Sequence, residues 1–275
     1  MKKRLEKGVL WLVLLILLVV TLGPILWVVI SSFKTRREML TSPWSFPETM
    51  QWENYTKAWE KANFTVLLKN SVVITGISLL LMILLASMVA FAITRYRLKL
   101  GRAVLMYMLV GQTISTGMII FPIVIMLREM GLDSGHVGLI LTYTAGGLPF
   151  AVFVMEGFFA GIPYEMYEAA QMDGASELSL YRKIALPLAK PALATVLLYQ
   201  FMWVWNEFVL AFTVISDTRD RTIIVGLYSV VNGALQTDYV TAFAGAVIVS
   251  VPIIVIYLVF QKYLIQGLVA GAVKG

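Results

Sequence analysis

Ile162 to Pro187 reads IPYEMYEAAQMDGASELSLYRKIALP, the longest charged interruption in the apolar second half of the chain. Pro163 suits a first helical position, where its missing N–H would have no partner anyway, and Glu165 and Glu168 complement the positive end of a helix starting there. Tyr164, Tyr167 and Ala170 then share a face at three-residue spacing, with small Ala169 beside them. Gly174 predicts a stop, because a helix closing on a left-handed residue usually uses glycine. Ser176 can cap a second helix, which Pro187 is expected to end near Ala185 or Leu186. The pattern is helix, turn, helix, with small residues that let it lie close in the groove of another protein. That geometry suits docking, not catalysis.

The rest of the chain explains what such a hairpin is mounted on. Over 275 residues, 59% hydrophobic and 14% charged side chains with a mean hydropathy of +0.83 exclude a soluble domain and predict an all-α integral membrane protein. The net charge of +6 could suit nucleic acid, but the bases cluster beside apolar runs, where topology accounts for them, so no nucleic-acid partner is expected. There is no cysteine, which excludes disulfides, thiolate catalysis and Cys-ligated metals. His136 is the only histidine, in a short loop where a solvated side chain is the ordinary outcome.

Hydropathy divides residues 1–275 into six spans of a single transmembrane domain, at about 9–30, 70–94, 103–127, 137–157, 191–215 and 239–261. Residues 162–187 form the loop between the fourth and fifth. The first run follows Lys2, Lys3, Arg4 and Lys7 and resembles a signal peptide, but it is long enough to span and lacks a small-residue cleavage site; it is read as a retained helix, kinked or ended near Gly23-Pro24. Residues 31–69 hold Trp44, Trp52, Tyr55 and Trp59, several of which could ride at the membrane interface. Thr222 to Thr237 is too short and too polar, at Asn232 and Gln236, to cross, and is expected to lie on the interface. With both termini inside, thirteen Lys and Arg fall on the cytoplasmic side against nine outside, and the short loops agree.

Within the spans, Glu207 stands out in Trp203-Val204-Trp205-Asn206-Glu207-Phe208. An ionisable group at that depth costs about 2.5 to 3.5 kcal/mol on insertion scales and normally faces the bundle interior or water. It either lines a polar pathway or makes a structural hydrogen bond to a neighbouring helix, or else sits near the outer interface. Phe121, Tyr143, Phe150, Phe153 and Trp203 could stack on sugar rings, although helix packing explains most membrane aromatics. Gly111, Ser115, Thr116, Gly146 and Gly147 are expected to let helices approach closely, and Pro122, Pro149 and Pro252 to introduce kinks. The final segment, QKYLIQGLVAGAVKG from Gln261, reads by itself as a flexible terminus. The chain contains no G-x-x-x-x-G-K-[ST] loop, no H-E-x-x-H and no Ser-His arrangement of plausible geometry, so an enzyme is not expected.

Glu168-Ala169-Ala170, Gly174 and Ile184-Ala185-Leu186-Pro187 match E-A-A-x3-G-x9-I-x-L-P at every fixed position. The chain thereby resembles the permease subunits of ATP-binding cassette importers. The W-N-E-F run and the tail G-L-x-A-G-A-V-K-G resemble the carbohydrate, maltose-type branch, and Ser32 with Lys34, Asn54-Tyr55 and Asn70-Ser71 extend the likeness over nearly the whole chain. The resemblance implies the second of two inner-membrane permease subunits, in a heterodimer, of a binding-protein-dependent importer for sugars or oligosaccharides. It implies a cytoplasmic coupling helix, with Tyr164, Tyr167, Glu168, Ala169, Ala170, Asp173, Gly174, Ile184, Leu186 and Pro187 at an ATPase subunit. It further implies that the cytoplasmic tail 266–275, through Gly267, Ala270, Gly271, Lys274 and Gly275, enters the ATPase dimer interface, and that Trp203, Asn206 and Glu207 belong to the translocation path. ATP and Mg would be used by the partner ATPase, and this chain would bind no cofactor or metal; the remaining partners would be an extracytoplasmic solute-binding protein and the lipid bilayer. An importer for an amino acid, peptide or oxyanion, and an ATP-independent secondary transporter, are the alternatives.

Overall fold

The computed structural model describes residues 2–133, 135–234 and 238–272. Every regular element among them is helical. Helices Glu6–Ser32, Phe64–Arg95, His136–Phe159 and Tyr239–Gln261 are long and apolar enough to cross a membrane. Two bent pairs, Ala103–Gly111 with Thr116–Glu129 at 97° and Glu177–Leu188 with Lys190–Asn206 at 72°, bring the number to six if each pair is one span. The chain packs as two compact units, Met1–Thr65 with Gly226–Pro252 and Val66–Val225 with Ile253–Gly275.

In the first unit, α1 (Lys2–Ser32) continues through Pro24, so of the kink or end read at Gly23-Pro24 the end does not occur. None of its apolar window is covered by this chain. The helix is followed by a knot of buried polar contacts. The Lys34 side chain is fully buried and its Nζ donates to the carbonyls of Ser42 at 3.1 Å and Pro43 at 2.7 Å. Asn54, on α3 (Glu53–Ala62), donates to the carbonyls of Ser32 and Lys34, both at 2.9 Å. Between them, α2 (Arg36–Thr41) opens on a capping box of Thr35 and Glu38. The backbone N–H groups of Thr35 and Glu48 hold the Glu38 carboxyl below its ordinary range. Trp52 and Tyr55 pack on Phe33 and Trp44 on Trp27, with Trp52 and Trp44 both remaining largely exposed.

The second unit is organised on α4 (Phe64–Arg95) and α7 (His136–Phe159). The run expected as one span at 103–127 is instead α5 (Gly101–Gly111) and α6 (Thr116–Glu129), sharply bent at 112–115. Gly111 meets no neighbour, so at this position glycine and its polar followers end a helix and do not admit another one. At the bend the N–H groups of Gln112, Thr113 and Ile114 donate to the carbonyls of Leu109, Val110 and Gly111, and the Gln112 side chain donates to the Gly146 carbonyl of α7 at 2.7 Å. Gly147 behaves as the small-residue argument requires. A Cβ there would run into the Met82 side chain of α4 and lie 2.9 Å from Gln200 Oε1 of α11 (Lys190–Asn206), and Gln200 Nε2 donates to the Gly147 carbonyl at 3.2 Å.

Beyond α11 come α12 (Val209–Val214) and α13 (Ile223–Ala234). The second is the helix expected over 222–237, with Gln236 outside the described residues. The last helix, α14 (Tyr239–Ala272), runs through Pro252 without a break.

If three helices meet at Gly147, Gly147→Val should overpack the contact and destabilise the unit by about 1–3 kcal/mol. Tryptophan-fluorescence melting of the purified protein in detergent should show a lowered midpoint. An unchanged midpoint would contradict the close approach.

Candidate functional site

The polar segment folds as a hairpin of α8 (Tyr164–Met172) and α9 (Glu177–Leu180), continued by a π-turn at Tyr181–Ala185 and α10 (Leu186–Leu188). Pro163 stands one residue earlier than expected, at the N-cap. Gly174 has φ +80°, and its N–H donates to the Gln171 carbonyl while that of Ala175 donates to the Ala170 carbonyl, both at 2.9 Å. This is a Schellman closure, and it needs a residue without a Cβ penalty at Gly174. Ser176 caps α9 by accepting from the Ser179 N–H at 3.4 Å.

Pro187 corrects an expectation. The helix does not end at Ala185 or Leu186; it passes through Pro187 and closes at Ala189. Proline lacks the N–H that would bond Lys183 and its ring presses on that carbonyl. The π-turn immediately before it widens the helix by one residue and removes the clash.

What holds the hairpin is a side chain read from sequence only as a topology signal. Arg95, the last residue of α4, has its side chain 6% exposed and grips Glu177 with Nη2 to Oε1 at 3.1 Å and Nε to Oε2 at 3.3 Å. Its guanidinium also lies over the rings of Tyr164, 5.2 Å from the centroid, and Tyr167, at 5.4 Å. Gln171 Nε2 donates to the same Glu177 Oε1 at 3.0 Å, tying the end of α8 to the start of α9. Two turns back on α4, Ser87 and Tyr181 share a hydroxyl hydrogen bond of 2.7 Å. Between them Phe91 packs on Phe159, Tyr167 and Tyr181. Burial pushes the Tyr167 phenol up from its ordinary value, with Arg95 opposing. A cavity of about 290 Å³ remains at the root of α8, lined by Arg95, Arg97, Glu156, Tyr164 and Tyr167 among others.

The structure therefore sorts the candidate residues into two faces. Tyr167 is buried and Ala170, Ile184 and Leu186 are half-buried against the α4–α7 core, so Tyr167 and Ala170 turn inward onto their own bundle, whereas Tyr164 stays exposed with its ring under Arg95 and Arg97. Glu168, Ala169, Asp173, Gly174 and Pro187 are exposed. Met166, Met172 and Leu178, which sequence reading passed over, join them, Met172 being 89% exposed. Large apolar residues in an otherwise polar hairpin are the signal that could have marked them.

A second constellation lies at the α11–α12 junction, where the expected 191–215 span breaks at Glu207 and Phe208. The Glu207 carboxylate accepts from the Leu210 N–H at 2.8 Å, the Ala211 N–H at 3.0 Å and the Tyr143 hydroxyl at 2.7 Å. The carboxylate thus bonds the first N–H groups of α12 and replaces the backbone bonds that the break removes. Trp203 stands edge-on to Tyr143 with centroids 5.8 Å apart, and Asn206 Nδ2 donates to the Met202 carbonyl at 2.8 Å. Phe150 stacks on Tyr199 at 4.4 Å, Phe121 and Phe153 are exposed, and His136 lies 3.2 Å from the Asp220 carbonyl. Gly267, Ala270 and Gly271 lie in the last turns of α14, helical where a flexible terminus was expected, and Lys274 and Gly275 lie outside the described residues. Among the described residues no group of His, Cys, Asp or Glu could hold a metal ion.

A family model described as "Binding-protein-dependent transport system inner membrane component" matches residues 46–269. The chain is 34% identical over 257 residues to the diacetylchitobiose uptake system permease protein NgcG of Streptomyces coelicolor, covering 93% of this chain and 85% of that one. It is 33% identical over 261 residues to the trehalose transport system permease protein SugB of Mycobacterium tuberculosis, covering 92% of each. A chain of a bacterial ABC transporter involved in the import of the acidic polysaccharide alginate superposes with a TM-score of 0.83 at 25% identity, covering 95% of this chain and 97% of that one.

Removing the α12 cap should be felt as a stability loss. Glu207→Ala leaves two N–H groups and a hydroxyl without their acceptor and should lower stability by about 1–3 kcal/mol. Glu207→Gln, which keeps one carbonyl oxygen, should fall between it and the parent in thermal unfolding. A Glu207→Ala protein as stable as the parent would contradict the capping role.

Proposed function

The chain belongs to the family of binding-protein-dependent transport system inner membrane components, and from that premise we propose that it is one of two permease subunits of an ATP-driven importer for sugars or oligosaccharides. The single observation that carries the proposal is the hairpin: an exposed tip of Glu168, Ala169, Met172, Asp173 and Gly174 on a frame pinned by Arg95, Phe91 and Ser87. A docking element transmits force only if its own root is stiff, and this one has a bidentate charge pair, two cation–π contacts and an aromatic cluster at its root.

In this reading the hairpin and both termini are cytoplasmic, and the exposed tip seats in a cleft of an ATPase subunit that supplies ATP and Mg chemistry. Tyr167, Ala170, Ile184 and Leu186 act from behind, by shaping the tip. The tail through Gly267, Ala270, Gly271, Lys274 and Gly275 reaches the ATPase dimer. A second permease subunit completes the pore and an extracytoplasmic binding protein delivers the solute. Trp203, Asn206 and Glu207 belong to the translocation path, and Glu207 also fixes the α11–α12 break beside it. Nucleotide and loaded binding protein favour different members of a two-state pair, which is what alternating access requires. The names of the relatives, which import diacetylchitobiose and trehalose, favour a sugar over other solutes.

Purification in mild detergent from the native membrane tests the assignment. Co-purified ATPase whose hydrolysis rises with a sugar-loaded binding protein is expected; a chain that emerges alone and transports under an ion gradient would refute it. Within the complex, Gly174→Val forces a β-branched residue to positive φ, a strain of about 1–2 kcal/mol that the hairpin can relieve only by changing its turn. ATP-driven uptake should drop while the chain remains in the membrane, and normal uptake would count against docking through the tip.

A further inference from the structure

We propose that α4 is a rod joining the 164–188 hairpin to the 217–223 loop, with Arg95 and Asn70 as its two pins. The inference rests on the importer reading and adds the route by which hairpin displacement reaches the opposite end of the bundle. Four helices can span alone; α1, α7 and α14 each contain a proline, and the other two candidate spans are bent pairs. Only α4, among these described elements, runs its 32 residues with neither a proline nor a break. A helix with every internal hydrogen bond in place is the stiff member of such a set.

Both ends are fastened. At one, Ser87, Phe91 and Arg95 fall at i, i+4 and i+8 on a single face and engage Tyr181, Tyr167 and Glu177 of the hairpin. At the other, Asn70 Nδ2 donates to the carbonyls of Arg219 at 2.8 Å and Arg221 at 3.1 Å, and Ser71 Oγ accepts from the Ile223 N–H at 2.7 Å. The two pins are separated by about 38 Å at the α-helical rise per residue. Midway, Met82 seats on Gly147 and the Thr144 hydroxyl approaches the Ser78 carbonyl at 3.4 Å, so α7 guides the rod along its length. Within the 217–221 segment Asp217 caps a short 3₁₀ turn and pairs with Arg219 at 3.1 Å, and the Asn70 and Ser71 bonds are what tie that turn to α4.

The cysteine-free chain makes the test direct. Thr218→Cys, at an exposed position of the far loop, is labelled with a maleimide in the intact complex with and without MgATP. The labelling rate is expected to change with MgATP. Asn70→Leu, which does not touch the hairpin, should leave ATPase attachment and hydrolysis in place and reduce that change by roughly fivefold or more, within the ordinary range of a coupling free energy. Arg95→Gln should reduce it equally, and the two together should be no worse than either alone. Losses that add, as they do for independent sites, would overturn the rod. So would an unchanged response in Asn70→Leu, or no response in the parent with ATPase attached. Absence of ATPase from the parent complex would instead overturn the importer reading and the inference with it.

Discussion

A guanidinium that has left water must be satisfied on several sides at once, and Arg95 meets that requirement only where the hairpin folds over it. Its fork needs a carboxylate in plane, which Glu177 provides, and its faces need polarisable surface, which the rings of Tyr164 and Tyr167 provide. Lysine would supply the charge but not the fork. The three partners come from α8 and α9, so one buried cation fixes the angle between two helices that share few apolar contacts of their own. The Schellman turn at Gly174 then sets how far apart their ends stand, and Gln171 closes the triangle.

The same economy governs the apolar part of the chain. Hydrocarbon does not tolerate open backbone groups, so each interruption of a helix carries its own polar repair. Glu207 caps α12 where α11 stops, Gln112 reaches the Gly146 carbonyl beside the α5–α6 bend, and Gln200 bonds the Gly147 carbonyl where three helices converge. At Pro187 the repair is the π-turn at Tyr181–Ala185. These polar residues sit in otherwise apolar stretches because a break or a close approach requires them there.

That rule also marks what could be read from the sequence. The apolar runs read as spans at 70–94, 137–157 and 239–261 lie within the helices Phe64–Arg95, His136–Phe159 and Tyr239–Ala272, and the caps Gly174 and Ser176 follow from residue type alone, because each depends on a local interaction within five residues. The bend at 112–115 and the break at 207–208 escape a hydropathy reading, since an average over the length of a span is blind to the two to four residues at which a helix turns or stops. Arg95 escapes for a different reason. Among Arg95, Arg97, Lys99 and Arg102, nothing in the local sequence distinguishes the base that folds inward, because its carboxylate lies 82 residues away. Tyr167 was placed on the docking face by its spacing with Tyr164 and Ala170, but the period that identifies a face does not say whether it turns toward the bundle or away. Only the packing of Phe91 against it settles that.

The account depends most on the Arg95–Glu177 pair being the contact that anchors the hairpin, and a double-mutant cycle in thermal unfolding measures it. Arg95→Gln, Glu177→Gln and the double variant would be compared with the parent in the same detergent. The expected result is a coupling of about 1 kcal/mol or more, as for a charge pair with one fully desolvated partner, each single change costing nearly what both do together. Additive losses would mean that Arg95 and Glu177 contribute separately, and that the hairpin is held by its aromatic contacts alone.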